Sequence, residues 1–201
     1  MKPFINTIVA FASLAALAFA GAEAGKAAPD FSLKTADGSE VKLSDHKGKN
    51  IVLEWVNFNC PFVKKHYNKG HMQKLQKQYA EKGVVWIQVA SAHEGHKDYY
   101  DASALEAKAK EQKANASFTL VDADGTVGKS YGAQSTPHMF VVNKEGVIAY
   151  AGAIDSKKST KTKDIKGADN YVAAALDSII AGEKVATPET QAYGCSVKYE
   201  K

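Results

Sequence analysis

Trp55-Val56-Asn57-Phe58-Asn59-Cys60-Pro61-Phe62-Val63-Lys64 is the stretch on which the reading of this chain turns. Before it, Ile51 to Val56 is a short apolar run suited to a largely buried strand. After it, from Pro61 to Gly83, Met72, Leu75 and Tyr79 recur at i, i+3 and i+7, a helical spacing. Pro61 suits the first helical position and Gly83 a helix end, while Gly70 marks a bend or break between them. Cys60 therefore stands between a buried strand and a helix start. The free N–H groups and partial positive charge of a helix N-terminus favour a thiolate there. Lys64 lies one turn further on, with Lys65 and His66 close behind, and adds positive charge. The competing reading is a buried, inert cysteine.

Working outward, Phe31 and Leu33, then Val41 and Leu43, alternate with polar residues around Ala36-Asp37-Gly38, which predicts an N-terminal β-hairpin with a D-G turn. Val84–Val89 and Phe118–Val121 read as further strands. Met139–Val142 and Val147–Tyr150 read as a closing hairpin around Asn143–Gly146. Asp101 caps a predicted helix reaching Lys113, Val127–Tyr131 a short one, and Ala168–Ala181 carries an apolar helical face. Strands alternating with helices predict a parallel sheet, and the closing hairpin adds antiparallel strands. This is an α/β domain with a central mixed sheet flanked by helices, spanning residues 25–185. Residues 186–201 form a C-terminal tail without periodicity that carries Cys195. The tail reads as mobile.

The first residues read as an export signal. Lys2 precedes the mostly apolar run Phe4–Ala20, and A-x-A sites follow at Ala18-Phe19-Ala20 and Ala22-Glu23-Ala24. Residues 1–24 are expected to be removed, with the mature protein starting near Gly21 or Gly25. It would be periplasmic or secreted, in the bacterial cell envelope, with no stable membrane insertion after removal. The net charge is +4, but every basic residue is lysine and the chain holds no arginine. That speaks against sequence-specific nucleic-acid binding, for which arginine is the preferred base reader. The densest lysine cluster, Ser156–Lys166, reads as a solvated loop, with a weak docking patch for an acidic partner as the alternative. Two cysteines, Cys60 and Cys195, in an oxidising compartment can form a disulfide.

The segment around Cys60 resembles the active-site segment of thioredoxin-like proteins, in which a C-x-x-C-K stretch opens the first long helix. Cys60 takes the first cysteine position, Val63 the second and Lys64 the lysine. Ser135–Val142, S-T-P-H-M-F-V-V, resembles the cis-proline segment of that family, which implies a cis Thr136-Pro137 bond next to Cys60. With A-P-D-F-S-L near the start and Y-G-C-S-V-K-Y near the end, the whole is similar to single-cysteine, peroxiredoxin-like redoxins of the AhpC/TSA type. The resemblance implies a thioredoxin-like fold. It also implies a thiol-dependent oxidoreductase acting on protein thiols or disulfides, or on peroxide, recycled by a reductant protein, with no cofactor.

The chain departs from those patterns in two ways. Val63 removes the neighbouring resolving thiol. Leu53 and Asn57 stand where the peroxiredoxin proline and threonine would be, and there is no arginine to flank the sulfur, so any peroxidase activity is expected to be slow. Three roles stay open for Cys195: resolving thiol for Cys60, structural staple, or contact with another protein. Closing so long a loop as a staple would stabilise by about 5 kcal/mol in the chain-entropy model. His138 and Met139 follow the expected cis-proline, so a copper(I) site from Cys60, His138 and His66 is a rival reading. A non-catalytic binding module on the same scaffold is the other. The expected site is Cys60, Cys195, Thr136, Pro137 and Lys64, without a metal.

Overall fold

The computed structural model describes residues 21–200. The export segment read at residues 1–24 falls mostly outside the described residues. Strands β1 (Ser32–Lys34) and β2 (Glu40–Lys42) form the N-terminal hairpin, with Leu33 opposite Val41. Gly38 in its turn has φ 85°, a left-handed conformation that costs a glycine little.

The central sheet comprises β3 (Ile51–Trp55), β4 (Val85–Ala90), β5 (Phe118–Val121), β7 (His138–Val142) and β8 (Ile148–Gly152) in the order β5-β4-β3-β7-β8. β3, β4 and β5 run parallel, and β7 and β8 join antiparallel. Side chains alternate across this sheet and divide the core in two. Val52, Val56, Trp86, Met139 and Val141 face one way and share a cluster with Cys60. Ile51, Leu53, Trp55, Ile87 and Phe140 face the other and pack on the hairpin residues Phe31, Val41 and Leu43.

On the first face lie α1 (Pro61–Tyr67), α2 (His71–Ala80), α3 (Ala102–Glu111) and α5 (Tyr171–Ile180), contributing Val63, Tyr79, Leu105 and Leu176. α4 (Thr126–Tyr131) packs on the second face through Val127 and Tyr131. The helical pattern after Pro61 is thus two helices. Gly70, at φ 75°, breaks it, because the left-handed backbone ends one helix and begins the next. Asp101 caps α3 as predicted, accepting the Ala104 N–H at 2.8 Å. Asn170 does the same for α5, accepting from Ala173 at 2.9 Å.

The expectation of a mobile tail is overturned. The tail runs beside edge strand β8, where the Ala151 N–H donates to Pro188 O and the Thr190 N–H to Ala151 O, both at 3.0 Å. It ends in β9 (Cys195–Ser196), paired antiparallel with β6 (Ser135–Thr136) so that Cys195 lies opposite Thr136. Hydrophobic period carries no signal here, since order comes from backbone pairing on free edges and from anchors such as the buried Tyr193.

Candidate active site: two apposed thiols

Cys60 is the N-cap residue of α1, with extended backbone (φ −67°, ψ 126°) and Pro61 behind it. Its carbonyl accepts the Lys64 N–H at 2.9 Å. The approach to it is tied down by asparagines. Asn57 Oδ1 accepts the Asn59 N–H at 2.8 Å, and the amides of Asn57 and Asn59 donate to Asp98 at 3.2 and 3.0 Å. Burial alone would raise the Asp98 carboxyl; the bonds from Asn59 and Asn57 outweigh it and hold it below its ordinary value. Asn57, read as a departure from the peroxiredoxin pattern, thus has a positioning task of its own.

The Cys60 side chain is buried, at 2% exposure. Its thiol donates to Thr136 O at 3.0 Å, and its Sγ lies 2.7 Å from Cys195 Sγ. Both cysteines are free thiols. A disulfide needs an Sγ–Sγ distance of about 2.05 Å, so less than about 1 Å of closure separates the two states. The Thr136-Pro137 bond is cis, as expected. The Cys195 thiol is pushed up to about 12, first by burial, then by its hydrogen bond with Cys60 and the charge of Cys60; Lys198 pulls it down and Asp98 pushes it up.

The structure brings Cys60, Cys195, Thr136 and Pro137 together. Lys64 lies on the exposed side of α1, and the buried lysine of that helix is its neighbour Lys65. The placement of His138 near Cys60 is corrected. Along β7 alternate side chains face opposite ways, so Met139 joins the Cys60 cluster, while His138 lies against Phe140 with ring centroids 4.5 Å apart. His66 is turned toward Asp155, its Nε2 3.9 Å from Oδ2. Burial pushes both imidazoles down to about 4. Among the described residues no three His, Cys, Asp or Glu side chains group so as to hold a metal.

Sequence reasoning missed a buried carboxyl six residues before Cys60. Glu54, inside β3, receives hydrogen bonds from Trp86 Nε1 at 2.8 Å, Tyr67 Oη at 2.9 Å and Gln76 Nε2 at 3.3 Å. Its signal in the sequence is a lone acid in an otherwise apolar strand. Burial raises Glu54 above its ordinary 4.5, against those bonds. A carboxyl so raised stabilises the fold at low pH, and that contribution fades as pH rises from 4.5 through its folded value. The stability advantage of wild type over Glu54→Gln should therefore shrink across that window, by up to about 1.4 kcal/mol per pH unit. Urea denaturation at stepped pH reads this, and an advantage that grows with pH would contradict burial as the dominant influence.

A thiol at a helix start, a second thiol in contact with it and a cis-proline edge between them, on a thioredoxin-like sheet, define a class: the thiol-dependent oxidoreductases. The chain belongs to the Redoxin family, whose model matches residues 23–171; Cys195 lies beyond that span. It is 31% identical over 150 residues to the "Thioredoxin-like protein YneN" of Bacillus subtilis (strain 168), covering 72% of this chain and 81% of that protein. It is 27% identical over 143 residues to the "Thiol-disulfide oxidoreductase ResA" of Bacillus thuringiensis subsp. konkukian (strain 97-27), covering 71% and 73%. Among solved structures, an uncharacterized conserved protein from Geobacillus kaustophilus superposes with a TM-score of 0.74 at 26% identity, covering 88% of this chain and 92% of that one. The fold is also that of the peroxidoxin BcpB from Mycobacterium tuberculosis, with a TM-score of 0.57 at 19% identity, covering 79% and 98%.

Proposed function

We propose that this chain is an exported thiol–disulfide oxidoreductase in which Cys60 is the nucleophile and Cys195 resolves it. The Sγ–Sγ contact of 2.7 Å carries the reading. The Cys60 thiolate attacks a substrate disulfide, forming a mixed disulfide and releasing one substrate thiolate. The Cys195 thiolate then attacks Cys60 Sγ, forming the Cys60–Cys195 disulfide and releasing the second. The substrate gains two electrons, and a reductant protein returns them. Run backward, the same steps oxidise a dithiol. A peroxide would instead give a Cys60 sulfenic acid, which Cys195 resolves with loss of water.

The chemistry of Cys195 suits this order. Two of the influences that hold its proton, the hydrogen bond with Cys60 and the charge of Cys60, vanish once Cys60 is oxidised. Oxidation of Cys60 thus eases loss of the Cys195 proton, against the burial that remains the largest influence on it. Cys60 lies under the tail, so a protein substrate reaches it only when β9 lifts from β6. Lys64, exposed on α1, is proposed to meet the incoming substrate rather than the sulfur.

Purified protein equilibrated with redox buffers and then alkylated tests the reading. A catalytic pair should titrate as a two-electron couple more oxidising than about −300 mV, the range of structural staples. Cys195→Ser should then accumulate mixed disulfides at Cys60, whereas unchanged turnover in Cys195→Ser would remove the resolving role. Export rests on the sequence of residues 1–24. The Ala22 N–H donates to Tyr131 O at 3.2 Å, the Ala24 N–H to Glu189 Oε1 at 2.8 Å and the Gly25 N–H to Ile148 O at 2.8 Å. These bonds favour a mature domain that keeps residues 21–24, so N-terminal sequencing of envelope protein should read from Gly21. Membrane-bound material that starts at Met1 would contradict export with cleavage.

A further inference from the structure

Two residues before Cys195, Tyr193 enters the interior and meets an ion pair. Lys65 of α1 is 1% exposed and Asp155, just after β8, is 3% exposed. Lys65 Nζ donates to Asp155 Oδ2 at 2.9 Å, to Lys157 O at 2.6 Å and to Tyr193 Oη at 3.2 Å. The Tyr193 hydroxyl donates in turn to Asp155 Oδ1, which also accepts the Lys157 N–H at 2.9 Å. The ammonium faces four oxygens, the fourth being Asp155 Oδ1 at 3.2 Å, and both carboxylate oxygens are engaged. Burial and then Asp155 raise the Tyr193 phenol, so it stays a donor. The Tyr193 ring also meets Phe62 of α1 edge-on, with centroids 5.8 Å apart.

Buried charges are costly unless paired and fully hydrogen-bonded. This pair is completed by one group from the tail, and that group lies on the residue that begins Tyr193-Gly194-Cys195. Lys65 is in the same helix that Cys60 caps, so the network ties the tail to the element that presents the nucleophile. We propose that Tyr193 is a positioning residue: its hydroxyl, held by Lys65 and Asp155, latches the tail so that Cys195 stays apposed to Cys60. The latch rests on the reading of Cys195 as resolving thiol and sets how readily that thiol is delivered.

The test measures the effective concentration of Cys195 at Cys60 in the full mature chain. Reduced protein is equilibrated with glutathione and glutathione disulfide, then alkylated. The two cysteines lose two protons and two electrons to each glutathione disulfide consumed, which leaves as two thiols. Tyr193→Phe removes only the hydroxyl and keeps the ring on Phe62. It should lower the effective concentration roughly tenfold, as for losing one hydrogen bond to a charged group. Phe62→Leu loosens the ring contact and spares the hydroxyl, and should lower it less. A purely structural tyrosine would reduce thermal stability and leave effective concentration unmoved. Values within twofold of wild type for Tyr193→Phe, or an equal drop in Phe62→Leu, would overturn the latch alone. If wild type forms no Cys60–Cys195 disulfide at all, the resolving role and the latch fall together.

Discussion

Replacing Gly194 by alanine should unseat the tail and cut the effective concentration of Cys195 at Cys60 by about a hundredfold. Gly194 has φ 151° and presses on the backbone of the Thr136-Pro137 edge. A Cβ there would overlap Thr136 O and lie 2.6 Å from Thr136 C and 3.2 Å from Pro137 N. These are backbone atoms next to Cys60, with no flexible side chain to give way. Overpacking of this kind costs about 1–3 kcal/mol, and an alanine at such a φ adds strain of its own; each 1.4 kcal/mol is tenfold in the docking equilibrium. Because β9 lies outside the five-stranded sheet, the domain should stay folded with near-native circular dichroism. The uncovered Cys60 should then alkylate faster. Glutathione equilibration and timed alkylation read both effects, and wild-type values for both would show that the close approach at Gly194 does not hold the tail.

Asp155→Ala should destabilise the domain by about 3–5 kcal/mol, the usual result of stranding one member of a buried ion pair. Lys65 would keep an uncompensated ammonium at 1% exposure, with only Lys157 O and Tyr193 Oη left as acceptors. Against a total stability of about 5–15 kcal/mol for a single domain, that is a large fraction. Pairing the change with Lys65→Met removes the stranded charge and should restore most of the loss, since apolar replacements of a buried pair are often near neutral. Urea denaturation of the single and double variants gives the coupling. A loss below about 1 kcal/mol in Asp155→Ala, or none restored by the double variant, would contradict the account of the pair.

Those two residues also mark where the sequence stops being legible. Local patterns state the strand before Cys60, the helix start at Pro61, the D-G hairpin and the Asp101 cap, because each is dictated by neighbours within a few positions. Thr136 and Pro137 come from the resemblance, and the bond between them is cis with Thr136 O against Cys60 Sγ. Of two adjacent lysines, Lys64 reads as the obvious partner for the sulfur, but the turn of the helix sends it outward and buries Lys65. His138 fails similarly, since proximity along the chain ignores the alternation of a strand. Asp155 looks like one more loop acid before a lysine-rich stretch, and only the fold shows a cation waiting for it. The place of Cys195 depends on pairing with Thr136, 59 residues away. Backbone pairing on a free edge leaves no periodic trace in side chains, so the tail reads as formless although it pairs with β8 through Pro188 and Thr190 and with β6 through Cys195 and Ser196.

The most direct test of the account is the state of the two thiols when reduced protein is exposed to one equivalent of a strongly oxidising small disulfide and then trapped with an alkylating agent. The account predicts one dominant product, a monomer with an intramolecular Cys60–Cys195 bond and no alkylated cysteine, formed through a transient adduct at Cys60 that persists only in Cys195→Ser. A wild-type protein that instead accumulates the Cys60 adduct while Cys195 remains free to alkylate would contradict it.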